Sequence, residues 1–285
     1  MLLGVLAVTL FGLTLPANRA AVGDLGPITV GIGRTVAAAI PAMVYLHLSG
    51  AAIPKGPMLH RLLIASAGVV LGFPYFSALA MVSAPATHGG VMLGILPLAT
   101  AAAGTIVARE RPSFGFWIAG AVGSAGVIAF ALFQGEGALH VADLALVAAV
   151  ASAAIGYAWS GQIARTMPGG QVIAWALVIA LPVTVPLTLL GAVTEPQNWT
   201  PRATLGFAYV ALVSQFLAFF AWNRGLALGG VARVSQTQLL QPFVTIAAAA
   251  ILLGEPLSLL SLSFAVLVVG AVAVGRRMKV ERPPA

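Results

Sequence analysis

Few side chains in this sequence could do chemistry, and their types suit recognition better than bond-making. Asn18, Arg34, His88, Gln162, Gln215, Gln238 and Gln241 stand inside long apolar stretches. A guanidinium presents a planar fork to a carboxylate or phosphate. An amide both donates and accepts, and an imidazole can carry a proton near neutral pH. The acidic residues Asp24, Glu110, Glu136, Asp143, Glu195, Glu255 and Glu281 all fall at the ends of apolar stretches, in loops or in the tail. No two carboxylates share a depth at which a general acid and base could work together. The absence of cysteine excludes thiol catalysis, thiolate metal sites and disulfides. Neither an H-E-x-x-H pattern nor a Gly-rich phosphate loop occurs, so no metal or cofactor is expected.

The elements that hold these residues must be membrane helices. Of the 285 residues, 60% are hydrophobic and 7% charged, against about 25% charged in a soluble domain. Mean hydropathy is +1.03. A soluble enzyme is excluded. Turn chemistry at Gly26-Pro27, Pro54 to Pro57, Ala84-Pro85, Pro112, Gly135 to Gly137, Pro168 to Gly170, Pro196 to Pro201, Gly229-Gly230 and Glu255-Pro256 divides the chain into ten spans. They run near 2–22, 28–48, 60–83, 86–108, 114–133, 141–164, 170–192, 203–225, 231–253 and 258–277. Each satisfies the requirement of about 20 apolar residues. The first lacks a basic leader and a small-residue cleavage site, so it reads as a structural helix.

The net charge of +7 encodes topology, and no nucleic-acid partner is expected. With the N-terminus in the cytoplasm, inside segments hold Lys55, Arg61, Arg109, Arg111, Arg165, Arg224, Arg233, Arg276, Arg277, Lys279 and Arg282, and outside ends hold Arg19 and Arg202. This places both termini in the cytoplasm. The last four basic residues also suit contact with anionic membrane lipid.

The sequence repeats itself at half length. Pro97 matches Pro242 and Glu110 matches Glu255 at one offset of 145, and Gly12 matches Gly156 at 144. Five spans per half invert the second half in the membrane. The expected fold is therefore an all-α polytopic membrane protein, with ten transmembrane helices as two inverted five-helix repeats, 1–137 and 138–285, around a central cavity.

The text "LFGLTLPANRAAV", "GRTVAAAIP", "LPLATAAAGTIVARERPS" and above all "AWNRGLALGGVARVSQTQLLQPFVTIAAAAILLGEPLS" resembles the drug/metabolite transporter superfamily, in its EamA-type ten-helix branch. The resemblance covers nearly the whole chain. It implies a secondary transporter that moves a small organic solute, such as an amino acid or amphipathic metabolite, outward across a bacterial-type inner membrane by alternating access. Where many relatives have Glu-Pro in the ninth helix, this chain has Gln241-Pro242. With no carboxylate at the midplane, obligatory proton coupling is not expected, and facilitated or exchange transport is. Only His88 offers an intramembrane relay, near the outer end of its span. A channel, a non-transporting membrane subunit, and an intramembrane lipid-modifying enzyme are the alternatives.

Asn18, Arg34, Tyr75, His88, Trp159, Gln162, Gln215, Phe219, Trp222, Gln238 and Gln241 are the expected cavity residues. Gln238, Gln241 and Thr245 share one helix face, as do Gln215, Phe219 and Trp222. Arg34 would anchor a substrate carboxylate or phosphate; otherwise it snorkels to headgroups. Trp222 and Trp175 could instead be interfacial anchors. Pro97 and Pro242 each strand a carbonyl and are expected hinges. Glu110 and Glu255 read as helix-end caps, with a gate latch as the alternative. Small faces at Gly120, Gly123, Ser124 and Gly126, and at Gly270, Ala271 and Gly275, read as packing, consistent with a monomer or weak homodimer.

Overall fold

The computed structural model describes residues 2–108, 111–134, 140–276 and 280–281. The expectations placed on Arg109, Glu110, Glu136, Arg277, Lys279 and Arg282 lie outside the described residues. The chain forms α1 (Leu2–Leu25), α2 (Thr29–Leu48), α3 (Pro57–Ala80), α4 (Ala86–Val107), α5 (Phe114–Gln134), α6 (Val141–Ile163), α7 (Gly169–Thr194), α8 (Pro201–Gly229), α9 (231–253) and α10 (Leu259–Arg276). Eight of these are long and apolar enough to cross a membrane over the described residues; α5 and α10 are apolar over the shorter stretches Ala121–Phe130 and Leu259–Ala271. Extended backbone is confined, among the described residues, to a two-residue antiparallel pair that joins Arg111–Pro112 to Val280–Glu281.

The ends follow local chemistry. Thr200 caps α8 by accepting from Ala203 N at 3.2 Å, and Pro201 fills the first position, where no amide is needed. α9 stops at Gly254, which takes the left-handed conformation that a Cβ would penalise. Large apolar side chains such as Leu6, Ile40, Leu189, Leu205 and Ile251 face outward, as lipid requires.

The lower face carries the start of α1 and the end of α10; the upper face is opposite. Helices α3, α4 and α6 pack as one group, α1, α8 and α9 as another, and α2 with α7 and α5 with α10 flank them. Two glycines let the first group close. A Cβ on Gly68 of α3 would sit 2.7 Å from Gly156 Cα, and one on Gly156 of α6 would sit 2.8 Å from Val69 N. Backbone therefore meets backbone there. The expected small faces divide: a Cβ on Gly126 would strike Leu267 of α10, whereas Gly270 has nothing within 4 Å.

Several helices depart from regular geometry, α2 in its first turn and α3, α4, α8 and α9 within their length. Wide π turns occupy Thr29–Gly33, Ala67–Gly72 and Tyr209–Leu217. Tight 3-10 turns occupy Leu93–Ile95 and Gln236–Leu240, just before Pro97 and Pro242. The two 3-10 turns adjoin the prolines expected as hinges, at corresponding positions of α4 and α9. Such turns re-aim side chains and accompany either a hinge or local strain.

Gly68→Ala and Gly156→Ala should each destabilise the protein by about 1–3 kcal/mol through overpacking, read as a lower melting temperature in detergent. Gly23→Ala, where nothing lies within 4 Å, should change it far less.

Candidate functional site

The polar interior assembles where α1, α2, α3, α6 and α8 converge. Phe11, Val69, Phe73, Tyr157, Ser214, Gln215 and Phe219 surround a residual cavity of about 10 Å³, room for roughly one water. That space is far smaller than a substrate-sized pocket. The rings of its wall are Phe11, Phe73, Tyr157 and Phe219, and Trp222 packs against Phe11 and Tyr157. Phe11 meets Phe219 edge-on at 5.1 Å and Trp222 at 5.9 Å, and Tyr157 lies 5.2 Å from Trp222 and 6.0 Å from Phe219. Aromatic edges and faces in this arrangement suit apolar and cationic groups alike.

Backbone strain supplies the polar partners. Pro74 has no amide, so the carbonyl of Val70 loses its helical partner; Thr35 Oγ1 donates to it at 3.1 Å. Gln215 Nε2 donates to the neighbouring Val69 carbonyl at 3.0 Å. Pro16 likewise frees Gly12, whose carbonyl accepts from Thr245 Oγ1 at 2.7 Å. Thr14 and Ser214 share a hydrogen bond of 2.7 Å across α1 and α8.

Arg34 is the exceptional group. It is 0% exposed, so it does not snorkel to headgroups. Its Nη1 makes only a long 3.5 Å contact with Asn18 Oδ1, and its Nε has no partner. Asn18 Nδ2 is held by Ser77 Oγ at 3.1 Å. Tyr157 is within electrostatic reach of the guanidinium. No carboxylate pairs with Arg34 among the described residues; the one ion pair there joins His88 to Asp143. A buried cation without a counter-charge is expensive in any protein and more so in lipid.

The carboxylates near the upper face are otherwise engaged. Glu195 accepts from Ile28 N and Thr29 N at 2.8 Å each, capping α2. Glu255 accepts from Ala86 N at 2.8 Å and Thr87 N at 2.9 Å, capping α4. Both caps reach from a loop of the second half to a helix of the first. Glu255 thus caps a helix end, the start of α4, and joins the loop after α9 to it. Beside it opens an upper cleft lined by Arg19, Thr87, Arg202, Glu255, Ser258 and Ser261.

The remaining sequence candidates sit elsewhere. Gln238 and Gln241 are buried on α9 together with Thr245, and both polar atoms of Gln238 and Oε1 of Gln241 lack partners. Trp222 is fully buried with an unpartnered Nε1, which removes the interfacial reading for it. Tyr75 packs beside Phe76 at 5.6 Å, outside the central set. Trp159 packs in a separate cluster around Leu62, Ile163 and Val172. Gln162 donates from Nε2 to the Val107 carbonyl at 3.4 Å, near the lower end of α4. His88 is held by Asp143 near the upper face. Sequence reading missed Phe11, Val69, Phe73, Tyr157, Ser214 and Asp143. Phe11, Thr14 and Asn18 stand at i, i+3 and i+7, a face that was there to be read.

The chain matches the EamA-like transporter family over residues 1–132 and again over 140–275. It belongs to that family. EamA-like proteins are transporters, which makes this chain a multi-pass membrane transporter and not an enzyme. It is 38% identical to an "Uncharacterized transporter YdeK" of Bacillus subtilis, covering 96% of each chain. It is 25% identical to a "Probable amino-acid metabolite efflux pump" of Salmonella typhimurium, covering 95% of this chain and 93% of that one. A crystal structure with a TM-score of 0.69 and 18% identity, covering 96% of both chains, shares the fold of this EamA-like chain.

Gln238→Met should leave the unliganded EamA-like chain as stable as before or raise its stability by about 1 kcal/mol, since it removes unpaired amide atoms. Thr245→Val should lower it by about 1 kcal/mol by stranding the Gly12 carbonyl. Thermal unfolding in detergent reads both; a large loss in Gln238→Met would mean that its amide is already satisfied.

Proposed function

We propose that this EamA-like chain is a secondary transporter for a small amphipathic solute that carries a carboxylate, an amino acid being the simplest example. The observation that carries this reading is Arg34, wholly buried, without a carboxylate partner among the described residues, and within electrostatic reach of Tyr157 of the aromatic cluster. A substrate carboxylate would supply the missing counter-charge, and the rings of Phe11, Tyr157, Phe219 and Trp222 would take its apolar portion. The orphaned amides of Gln238 and Gln241 offer further polar contacts along the path.

Movement would be by alternating access of two inverted five-helix repeats, 1–137 and 138–285, with Pro97 and Pro242 as paired hinges. Their 3-10 turns at matching places support that reading. The small space of about 10 Å³ beside the aromatic cluster suits an occluded step of such a cycle. The excess of Lys and Arg in loops at the lower face supports cytoplasmic termini in a bacterial-type inner membrane. Outward transport is the direction named for the Salmonella relative.

Purified protein should be screened by thermal shift against amino acids, nucleosides, organic cations and sugar phosphates. A ligand that binds the folded state raises its melting temperature with dose. Carboxylate-bearing amphipathic compounds should give that response. Arg34→Gln should weaken it by at least about 30-fold, the effect of removing one partner of a desolvated charge pair, and Phe219→Ala should weaken it less. A response to organic cations alone, unaffected by Arg34→Gln, overturns the assignment.

A further inference from the structure

We propose that the buried His88–Asp143 pair is a proton-binding site that controls whether the upper gate of the transporter stays shut. The proposal rests on the alternating-access reading above and adds a ligand to it: a proton from the compartment that the upper face meets.

The geometry begins with two helices. His88 lies one turn into α4 and Asp143 one turn into α6, 8% and 3% exposed. Their contact, Nε2 to Oδ1, is 2.6 Å. A carboxylate only accepts, so Nε2 carries the hydrogen. Asp143 Oδ2 is already used by the amide of His140 at 2.9 Å. One face of the imidazole is covered by Phe130 of α5, with ring centroids 4.9 Å apart. The side chain still keeps a tenth of its area open, and the adjoining Thr87 lines the upper cleft of about 500 Å³. The ring is thus one residue from the cleft and partly open.

The pair sits beside the gate. Thr87, next to His88 in the chain, gives its amide to Glu255 at 2.9 Å, and Ala86 gives its own at 2.8 Å. Those two bonds tie the loop after α9 to the start of α4 and so join the two helix groups at the upper face. Opening that face requires Glu255 to leave.

Charge then decides the outcome. With a neutral imidazole, Asp143 and Glu255 bring two negative charges to the first turn of α4, met by the amides of Ala86, Thr87 and His140, while Arg19 and Arg202 line the same cleft as Glu255. An imidazolium adds a positive charge in that turn, against Asp143 and next in the chain to the Thr87 amide that Glu255 accepts. Imidazole makes this change between about pH 5 and 8 in an ordinary setting. The arginines around this turn keep their charge across that range and do not supply the change. On the side of α1, Arg19 donates to the Met81 and Val82 carbonyls, and Asp24 accepts from the Thr200 hydroxyl. Arg202 lines the far side of the cleft, and His140 is exposed at the start of α6. Within the spans packed here, α5 and α9 bring no charged side chain near the upper face, and the arginine that ends α10 lies at the lower face. The proton thus holds the gate closed in acid, and its loss weakens the Glu255 latch as pH rises.

The chain has no cysteine, so a spin-label pair can be introduced directly. Val82→Cys and Leu257→Cys are half or more exposed on the two sides of the gate. Electron–electron distances should be measured in liposomes from pH 5 to pH 9, with no substrate needed. A short distance should dominate in acid, and the long-distance population should grow several-fold toward pH 9. His88→Gln keeps a hydrogen-bond donor but cannot gain charge, and should show the long distance at every pH. Asp143→Asn removes one negative charge and should show the short distance at every pH. A parent distance that is constant with pH, or changes in the opposite sense, overturns the proposal, as does either variant titrating like the parent. Because no solute enters this test, its failure leaves the Arg34 assignment standing, and the ligand screen can fail without touching it.

Discussion

A carbonyl that loses its helical partner inside a bilayer has no water to turn to, and much of this structure follows from that constraint. Each such group costs several kcal/mol if left alone. Pro16 and Pro74 create two of them, at Gly12 and Val70. Threonines of other helices answer both, Thr245 from α9 and Thr35 from α2. The prolines therefore do more than bend their own helices. They decide which helix must lie alongside and at what height, because only a side-chain donor at that place closes the account. Gln215 serves the same end at Val69. The polar interior is built from these repairs.

Within that repaired interior, charge is distributed unevenly. Glu195 and Glu255 each take two backbone amides at helix starts, where the helix dipole also favours an anion. Asp143 is shared between His88 and the His140 amide. None of these carboxylates is spare for Arg34. A guanidinium so placed is a liability unless something supplies its counter-charge, which is what the proposed substrate carboxylate would do. Sequence pointed to Arg34 because an arginine two turns into an apolar span is conspicuous. It could not say whether the side chain escaped to the surface, since that depends on which helices cover it.

Span positions were legible because lipid enforces length and apolarity on each helix; most predicted ends fall within about three residues of those observed. Faces were legible where polar residues repeated at helical spacing, as in Gln238, Gln241 and Thr245, all buried. They were not legible on α6. Trp159 and Gln162 share a face there, but the central rings are met by Tyr157, two residues earlier and on the other side of the helix. An alanine-rich helix offers no polar contrast by which to choose. Asp143 escaped for a different reason. It was read as a helix-end residue, which it is, since it closes the His140 cap; its second oxygen faces His88 only because α4 and α6 start at the same height.

The two faces are closed by different physics, although inverted halves would suggest the same. At the upper face the ties are carboxylates on amides and a histidine–aspartate pair, all sensitive to charge. Among the described residues, those at the lower face are packing and neutral hydrogen bonds: Gly4 against Thr237 and Val234, Gly169 against Asn223, Asn223 Nδ2 to the Gly169 carbonyl at 3.0 Å, and Gln162 to Val107. Duplication supplies equivalent helices, but the side chains at their ends need not match. Where α9 ends in Gly254-Glu255-Pro256, the matching text after α4 reads Arg109-Glu110-Arg111. A carboxylate flanked by glycine and proline meets no basic neighbour in its own loop, and here it caps the partner helix. The same carboxylate between two arginines has cations adjoining it in sequence. Under the proposed alternating access, the repeated backbone would open in two ways, and the unlike charges at the helix ends would give those openings unequal responses to the solution on either side.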